Sequence, residues 1–433
     1  MNLLLKGGRI IDPARNLDGI GDLWVEDGKI VPGPTGRRDG MVPCGEGARD
    51  LEVLDLREMI VVPGLIDMHT HLREPGFEYK ETIASGSDAA VAGGFTSIAC
   101  MPNTHPVNDS PAVTELIRTK AAAGGWANVY PIAAITLKSE GAQLCGFREL
   151  AESGAVGFSD DGKPVMNARL MRRALECAAD LDRPIIAHSE DLNLAAGGVM
   201  NEGSVAAELG LPGVPGISEE VMIARDLLLA EFTGGPLHIA HVSTAGSVRL
   251  IRAAKERGVR VTAETAPHYF LLTDEAVRVS GTLAKVNPPL RSAADRAAIR
   301  EGLRDGTLDA IATDHAPHSR TDKEAEFGAA ASGFTGLETS LGLCLRLVAD
   351  GVLTLRALIE KMTVQPARIL RIPKGTLAPG ADADITVIDP GRDWTVDRAL
   401  FRSRGKNSPF DGWALKGRAI LTIVGGMVRY RNG

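Results

Sequence analysis

The feature that most constrains the fold is an alternation of apolar segments and helical patterns, repeated eight times between residues 59 and 349. Each apolar segment is short and bounded by turn residues, which is typical of a buried strand. The predicted strands are 59–68, 95–101, 129–135, 155–158, 184–187, 237–242, 259–263 and 308–312. Alternating strands and helices predict a parallel sheet, and eight units predict a closed, TIM-like (β/α)₈ barrel. An open doubly wound sheet would normally carry a glycine-rich loop after its first strand, where this chain has His69-Thr70-His71.

Two β-rich segments flank the alternating region. The first contains the hairpin signal Glu26-Asp27-Gly28, and the last has the same texture of short apolar runs broken by glycine pairs. Neither segment is large enough to form a stable unit alone, so we expect them to pair. The sequence therefore predicts a small β-sandwich domain from residues 1–60 and 375–433, and a barrel domain from 61–374.

Composition excludes several classes of function. The 433 residues carry a net charge of -7 and no basic run, which argues against binding to nucleic acid. No apolar segment is long enough to span a membrane, and the N-terminal apolar run is too short for a signal peptide. The five cysteines fit no metal-site spacing, so we expect reduced thiols in a cytoplasmic protein.

Histidines and carboxylates collect where the predicted strands end, which is where barrel enzymes have their active sites. Eight of the nine histidines lie at or near these ends. Residues i and i+2 of a strand face the same way, so His69 and His71 can share a metal ion, with Arg73 just beyond. Alone, the pair could equally be two structural histidines. Together, four histidines and two carboxylates at one rim favour a zinc centre.

Several longer motifs carry a resemblance that covers nearly the whole chain. They are Asp67–Gly76, Met101–Thr104, Ser159–Gly162, Ala187–Asp191, His241–Thr244, Asn287–Arg291, Ala312–His318, Gly336–Thr339 and Gly405–Phe410. In these motifs the chain resembles the long-chain dihydroorotases of the amidohydrolase superfamily. The His-x-His pair is shared by the whole superfamily, whereas the H-x-R-x-P-G extension and the Asp314–His318 segment are more specific.

The resemblance implies a centre of two zinc ions per subunit. The implied ligands are His69, His71, Asp161, His188, His241 and Asp314. Many relatives bridge the metals with a carboxylated lysine from the fourth strand, and here Asp161 takes that position. Carboxylation of Lys163, two residues on, is the alternative bridge.

The resemblance also assigns roles around the metals. Asp314 would be catalytic, taking a proton from the attacking water and giving it to the departing ring nitrogen. The residues implied to contact the substrate are His71, Arg73, Asn103, Asn287, His318, Ser332 and Gly333. A salt bridge to Glu74 is the alternative role for Arg73, and Glu264 is predicted to orient a ligand histidine. Structural roles are predicted for His105, His238, His268 and His315.

These features imply a dihydroorotase that interconverts N-carbamoyl-L-aspartate and L-dihydroorotate in pyrimidine biosynthesis. Two alternatives remain: an amidohydrolase of hydantoin or allantoin rings, and an inactive scaffold for aspartate carbamoyltransferase. The rings of the first alternative lack the carboxylate that Arg73 would bind, and inactive relatives have lost metal ligands. We expect a small-molecule substrate, no nucleic acid or membrane partner, a homodimer, and association with aspartate carbamoyltransferase as a further hypothesis.

Overall fold

A ring of parallel strands forms the centre of the computed structural model, which describes residues 2–33 and 51–432. The ring strands are Leu65–Thr70, Phe95–Cys100, Asn128–Pro131, Ile185–Ala187, Leu237–Ile239, Val261–Thr265 and Ala310–Ile311. In place of a fourth strand, the single residue Phe158 bridges Ala133 and Ile185. A parallel bridge between Thr70 and His315 closes the ring. The predicted (β/α)₈ barrel is therefore confirmed, with its fourth strand reduced to one residue.

Helices surround this ring and follow its strands. The α-helices are Ile83–Ala92, Pro111–Gly124, Phe147–Glu152, Ala168–Leu181, Ser204–Leu209, Ile217–Thr233, Ala245–Glu256, Pro267–Leu271, Ala276–Ser280, Ala293–Asp305, Arg320–Lys323, Leu337–Ala349, Leu355–Met362 and Val364–Leu370. Buried apolar side chains fill the space between helices and strands, while Ile66, Met68 and Ile132 belong to a separate cluster inside the ring. The interior of the barrel is thus a packed core, and the polar residues that follow the strands lie at one mouth of the barrel.

The two terminal segments join in one eight-stranded sheet. Its strands are Asn2–Asp12, Leu17–Glu26, Lys29–Val31, Leu51–Asp55, Ile60–Pro63, Ile385–Thr395, Ala414–Val424 and Met427–Arg431. The sheet joins the two ends of the chain because Ile385–Thr395 pairs antiparallel with Ile60–Pro63. Leu3, Val25, Val387 and Ile423 share its buried core. A β-rich unit built from both ends of the chain is therefore confirmed.

Gly64 divides what the sequence predicts as one strand at 59–68. Ile60–Pro63 pairs within the terminal sheet, whereas Leu65–Thr70 pairs with Phe95–Cys100 in the barrel. A Cβ atom on Gly64 would lie 2.0 Å from Oγ1 of Thr96, so only glycine permits this close passage. We therefore propose that the boundary between the terminal and barrel domains lies at Gly64, close to the predicted residue 60.

The structure also bears on the cysteines. The four described cysteines are free thiols: Cys100, Cys145, Cys177 and Cys344. Cys44 lies outside the described residues. Among residues 2–33 and 51–432, no helix combines the length and apolar character needed to cross a membrane.

Candidate metal centre

The first barrel strand delivers two histidines to the mouth. Leu65–Thr70 is buried throughout, and His69 is its penultimate residue. Asp67 accepts hydrogen bonds from the backbone N–H groups of His69 and Thr313, each at 3.1 Å, and so ties the first strand to the eighth. The His71 N–H donates to the His315 carbonyl at 2.8 Å. Hydrogen bonds between the first strand and the segment after the eighth strand, where the ring closes, therefore fix the orientation of both histidines. Sequence reasoning missed this role of Asp67, whose only signal is its position two residues before His69.

Buried carboxylates fix the loops that carry the other candidate ligands. Asp160 accepts the backbone N–H groups of Ile135 at 2.8 Å and Thr136 at 3.0 Å, which anchors the loop of its neighbour Asp161. Glu219 accepts the N–H of Ser243 at 3.0 Å and anchors the loop after His241. These hydrogen bonds hold the loops that carry Asp161 and His241 in place.

All six predicted ligands converge at the barrel mouth. Asp161 Oδ1 lies 3.4 Å from Nε2 of His69, 3.5 Å from Nε2 of His241 and 3.7 Å from Nδ1 of His188. Its Oδ2 lies 3.6 Å from Nε2 of His71. Two groups of three have donor atoms close enough to hold an ion: His69, His71 and Asp161, and Asp161, His188 and His241. Asp161 therefore belongs to both groups.

Asp314 completes the cluster from the eighth strand. Its Oδ1 lies 3.1 Å from Nε2 of His71 and 3.6 Å from Nε2 of His69. Lys163, the alternative bridge, has an exposed side chain. The geometry therefore favours Asp161 over Lys163 between the two groups.

Partners outside the cluster orient the imidazoles. His69 Nδ1–H donates to Glu264 at 2.7 Å, and His71 Nδ1–H donates to the Asn103 side-chain oxygen at 2.9 Å. With Nδ1 of each ring held by these partners, Nε2 is the atom that faces the centre and can serve as a metal ligand. Glu264 thus lies where the sequence predicts a residue that orients a ligand. Asn103 contacts a candidate ligand here, a contact that its predicted role at the substrate carboxylate did not include.

The cluster fits a divalent cation. Nε2 of His69 and Oδ1 of Asp161 are buried and have no hydrogen-bond partner among residues 2–33 and 51–432. Leaving such atoms unpaired costs about 1–3 kcal/mol each. A cation between these lone pairs would remove that cost, and imidazole with carboxylate is a donor set typical of zinc and similar ions.

The pKa shifts within the cluster also indicate that it favours positive charge. Burial alone would raise the pKa of Asp161, but His69, His188 and His241 hold that pKa well below its ordinary value. Burial likewise opposes charge on His188, yet Asp161 and Glu190 raise its pKa to about 9. The carboxylates therefore draw positive charge into a buried space, and a bound cation supplies it without protonating the ligands.

Three residues of the mouth have left-handed backbone conformations. The φ angles are 62° at Arg73, 35° at His241 and 49° at Asp314. Such angles cost a non-glycine residue about 1–3 kcal/mol and persist only where neighbours impose them. Hydrogen bonds to the nearby residues Ser243 and Thr313 anchor the loops of His241 and Asp314.

The predicted substrate contacts form a second group beside the ligands. Arg73 Nε donates to the Pro317 carbonyl at 3.2 Å, and its Nη2 lies 3.3 Å from His318 Nε2. His318 Nε2 lies 2.8 Å from the Ser332 carbonyl, and Gly333 follows in the same loop. Burial lowers the pKa of Arg73 to about 10, which leaves the guanidinium charged at neutral pH.

Asn287 contacts Glu190, which lies two residues after the candidate ligand His188. Its Nδ2 donates to Glu190 at 3.3 Å. A cavity of about 370 Å³ is lined by Asn287, Glu190, Lys285 and Ser332. This volume lies within the range of small-molecule sites.

The remaining histidines take no part in either metal-binding group. His105 is exposed, and the buried His268 ring contacts the ring of Phe334. His315 Nδ1 accepts the Gly336 N–H at 3.2 Å. His238 Nε2 lies 3.4 Å from Glu264, so it shares that carboxylate with His69. The structural roles predicted for these four residues stay predictions.

Comparison with known proteins shows which family the chain is similar to. The family profile described as "Dihydro-orotase-like" matches residues 58–247, and the "Amidohydrolase family" profile matches residues 223–430. The chain is 64% identical to the dihydroorotase of Syntrophus aciditrophicus (strain SB) and 58% identical to that of Geobacter metallireducens (strain ATCC 53774 / DSM 7210 / GS-15), each over 100% of both chains.

Solved structures of related enzymes share the whole fold. L-Hydantoinase (dihydropyrimidinase) from Arthrobacter aurescens superposes with a TM-score of 0.86 at 28% identity, over 100% of this chain and 96% of that one. D-Hydantoinase (dihydropyrimidinase) from Thermus sp. gives 0.82 at 26% identity, over 99% and 95%. With full-length identity of 64% to a curated dihydroorotase, the chain belongs to the dihydroorotase family.

Proposed function

We propose that this chain is a dihydroorotase, which opens the ring of L-dihydroorotate with water to give N-carbamoyl-L-aspartate and also closes it in pyrimidine biosynthesis. One observation carries the proposal: six buried candidate ligands converge beside a charged arginine. The charges of Asp314 and Asp161 act on Arg73, so the guanidinium lies within electrostatic reach of the cluster. A metal centre next to a carboxylate receptor suits a cyclic amide that carries a carboxylate.

We propose that the divalent metal is zinc, with two ions per subunit. His69, His71 and Asp314 would hold one ion, His188 and His241 the other, with Asp161 between them. The two groups of donor atoms that share Asp161 support this arrangement. Bound zinc lowers the pKa of a water molecule to about 7 and polarises a carbonyl group.

Asp314 is the proposed catalytic residue. It would accept a proton from the attacking water and deliver it to the ring nitrogen as the amide bond breaks. Such proton transfer contributes about 10²–10⁴-fold to rate. Its position at the end of the eighth strand, 3.1 Å from a candidate ligand, supports this role.

The substrate carboxylate is the proposed partner of Arg73. A guanidinium offers two parallel N–H donors, which match a carboxylate. His318 and Asn103 are proposed to complete this pocket, and His71 to lie beside it. Asn287 and the backbone of Ser332 and Gly333 are proposed to contact the ring. The cavity lined by Asn287 and Ser332 supports the last assignment.

Steady-state kinetics with Arg73→Ala test the proposal. Loss of hydrogen bonds between charged groups costs about 1.5–3 kcal/mol, so we expect KM for dihydroorotate to rise about 10–150-fold. Arg320→Ala is the matched control, because that side chain is 86% exposed and pairs with Glu324. Undiminished turnover of dihydroorotate by Arg73→Ala would contradict the proposal.

A hydantoin-ring amidohydrolase is the second candidate, because the solved structures reported above include hydantoinases. Hydantoin lacks the carboxylate that Arg73 would bind. Faster turnover of hydantoin than of dihydroorotate by the wild-type protein would favour this candidate. Absence of both bound metal and activity would instead favour the scaffold for aspartate carbamoyltransferase.

We further propose a cytoplasmic homodimer. Exposed Val221, Leu228 and Phe232 share one face of helix Ile217–Thr233 and offer an apolar contact surface, with Phe232 71% exposed. The free thiols support the location. Light scattering of the wild-type protein should give twice the mass of one chain. For Phe232→Glu it should give the mass of a single chain. A wild-type monomer would contradict the dimer. Association with aspartate carbamoyltransferase stays a prediction.

A further inference from the structure

A segment of the terminal domain reaches the barrel mouth. Residues 401–410, here called the strap, connect strands Ile385–Thr395 and Ala414–Val424 of the terminal sheet. The strap contains the motif Gly405–Phe410, which the sequence marks without giving it a role. Gly405 passes so close to the barrel that a Cβ atom there would lie 2.6 Å from Cβ of Pro317. The strap backbone therefore lies directly against the loop that follows the eighth strand.

Asn407 makes the polar contacts between the strap and two loops of the mouth. Its Oδ1 accepts the backbone N–H of His318 at 3.0 Å. Its Nδ2 donates to the carbonyls of Gly333 at 3.1 Å and Ala316 at 3.4 Å. Its own carbonyl accepts the Thr335 N–H at 2.8 Å. The side chain is buried, so each of these bonds is sheltered from water.

The two loops held by Asn407 are the ones that orient the proposed carboxylate receptor. The Pro317 carbonyl accepts from Arg73 Nε, and the His318 ring contacts both Arg73 and the Ser332 carbonyl. Pro317 lies between Ala316 and His318, both of which bond to the Asn407 amide. A shift of this amide would therefore move the acceptor that aims Arg73.

We propose that Asn407 is a positioning residue for substrate binding, acting through residues 316–318 and 332–333 on Arg73 and His318. It does not touch the substrate itself. Only an amide supplies one acceptor and two donors in a single plane at this position, since aspartate has no donor and alanine has neither. The proposal rests on the proposed function, because it assigns to Arg73 and His318 the substrate carboxylate.

Kinetics of Asn407→Ala in the metal-loaded enzyme test this role. We expect KM for dihydroorotate to rise about tenfold and kcat to change less than threefold, because the loops orient the carboxylate receptor and not the metal ligands. Zinc content should equal that of the wild type. Ser408→Ala is the matched control: it is buried in the same strap, and its hydroxyl accepts the Phe410 N–H at 3.3 Å and makes no hydrogen bond to the described part of the barrel mouth. An unchanged KM, or a fall in kcat with loss of zinc, would overturn the proposal.

Hydrogen exchange separates this role from the proposed function. In substrate-free protein, Asn407→Ala should speed amide exchange in the peptide containing His318, and Ser408→Ala should leave it unchanged. This readout needs no turnover, so it decides the loop contact even if dihydroorotate is not the substrate. Asn407→Asp, which keeps the size and the acceptor, replaces the alanine variant if that one fails to fold. Wild-type exchange in a folded Asn407 variant would overturn the proposal.

Discussion

Replacing Glu264 with glutamine should weaken metal binding without removing a ligand. Glu264 accepts from His69 Nδ1 at 2.7 Å, and both side chains are 1% exposed. Burial would raise the pKa of Glu264, but His238 and His69 lower it to about 2, so the carboxylate is ionised at neutral pH. A hydrogen bond to a charged group contributes about 1.5–3 kcal/mol and a neutral one about 0.5–1.5. Glu264→Gln keeps the acceptor and loses the charge.

The expected loss is therefore about 1–2 kcal/mol, or about 5–30-fold in zinc affinity. Competition with a chelator at fixed free zinc measures this affinity. The matched control is Asp226→Asn, which removes a buried carboxylate that pairs with Arg225 and contacts no candidate ligand. Wild-type affinity in Glu264→Gln would show that the carboxylate does not support His69. An equal loss in Asp226→Asn would show a general effect of removing buried charge.

Four further predictions concern the centre and the fold. Asp314→Asn should lower kcat by about 10²–10⁴-fold while zinc content falls less; wild-type turnover would contradict its role. Chelation should abolish turnover and added zinc restore it, whereas activity that survives full metal removal would refute the metal centre. Burial raises the pKa of Asp226 from 3.8 to about 6, so protonation of this carboxyl favours the folded state. That contribution to stability is fully present below pH 4 and is lost as pH rises through 6. Asp226→Asn should therefore gain up to about 3 kcal/mol over wild type at pH 8 and little at pH 4 in urea unfolding; an equal gain at both values would contradict the shift. Gly64→Ala should lower the free energy of unfolding by about 1–3 kcal/mol, because its Cβ would meet Thr96. A thermal unfolding curve equal to that of the wild type would contradict this expectation.

The barrel could be predicted because its strands are continuous apolar runs and its helices follow a different period. The division at Gly64 could not, because residues on both sides are equally apolar and the reason for the glycine is Thr96, far along the chain. The fourth strand was overpredicted for a similar reason: an apolar run at 155–158 is compatible with a strand, but only Phe158 forms bridges. Pairing partners decide such cases, and local sequence does not contain them.

The cluster of candidate ligands could be predicted because strand ends in a barrel converge by topology. What surrounds the cluster was harder to predict. Asn103 has an amide that suits a carboxylate or an imidazole equally, and the structure pairs it with His71. Asn407 lies 89 residues from His318, and its role depends on how the terminal domain packs on the barrel. The roles of such amide side chains depend on their tertiary contacts. The spacing of residues along the sequence does not reveal these contacts.

The pairing of Ile60–Pro63 with Ile385–Thr395 has a consequence for biosynthesis of the chain. Leu65 donates its N–H to the Thr386 hydroxyl, 321 residues later, so the first barrel strand meets this neighbour only after the rest of the barrel has been synthesised. The strap is made later still. A nascent chain on the ribosome can assemble helices and inner strands as they emerge, but the Asn407 contacts with residues 316–318 and 332–333 cannot form before the strap has been synthesised. Truncation before the strap would leave these two loops of the mouth without the Asn407 hydrogen bonds.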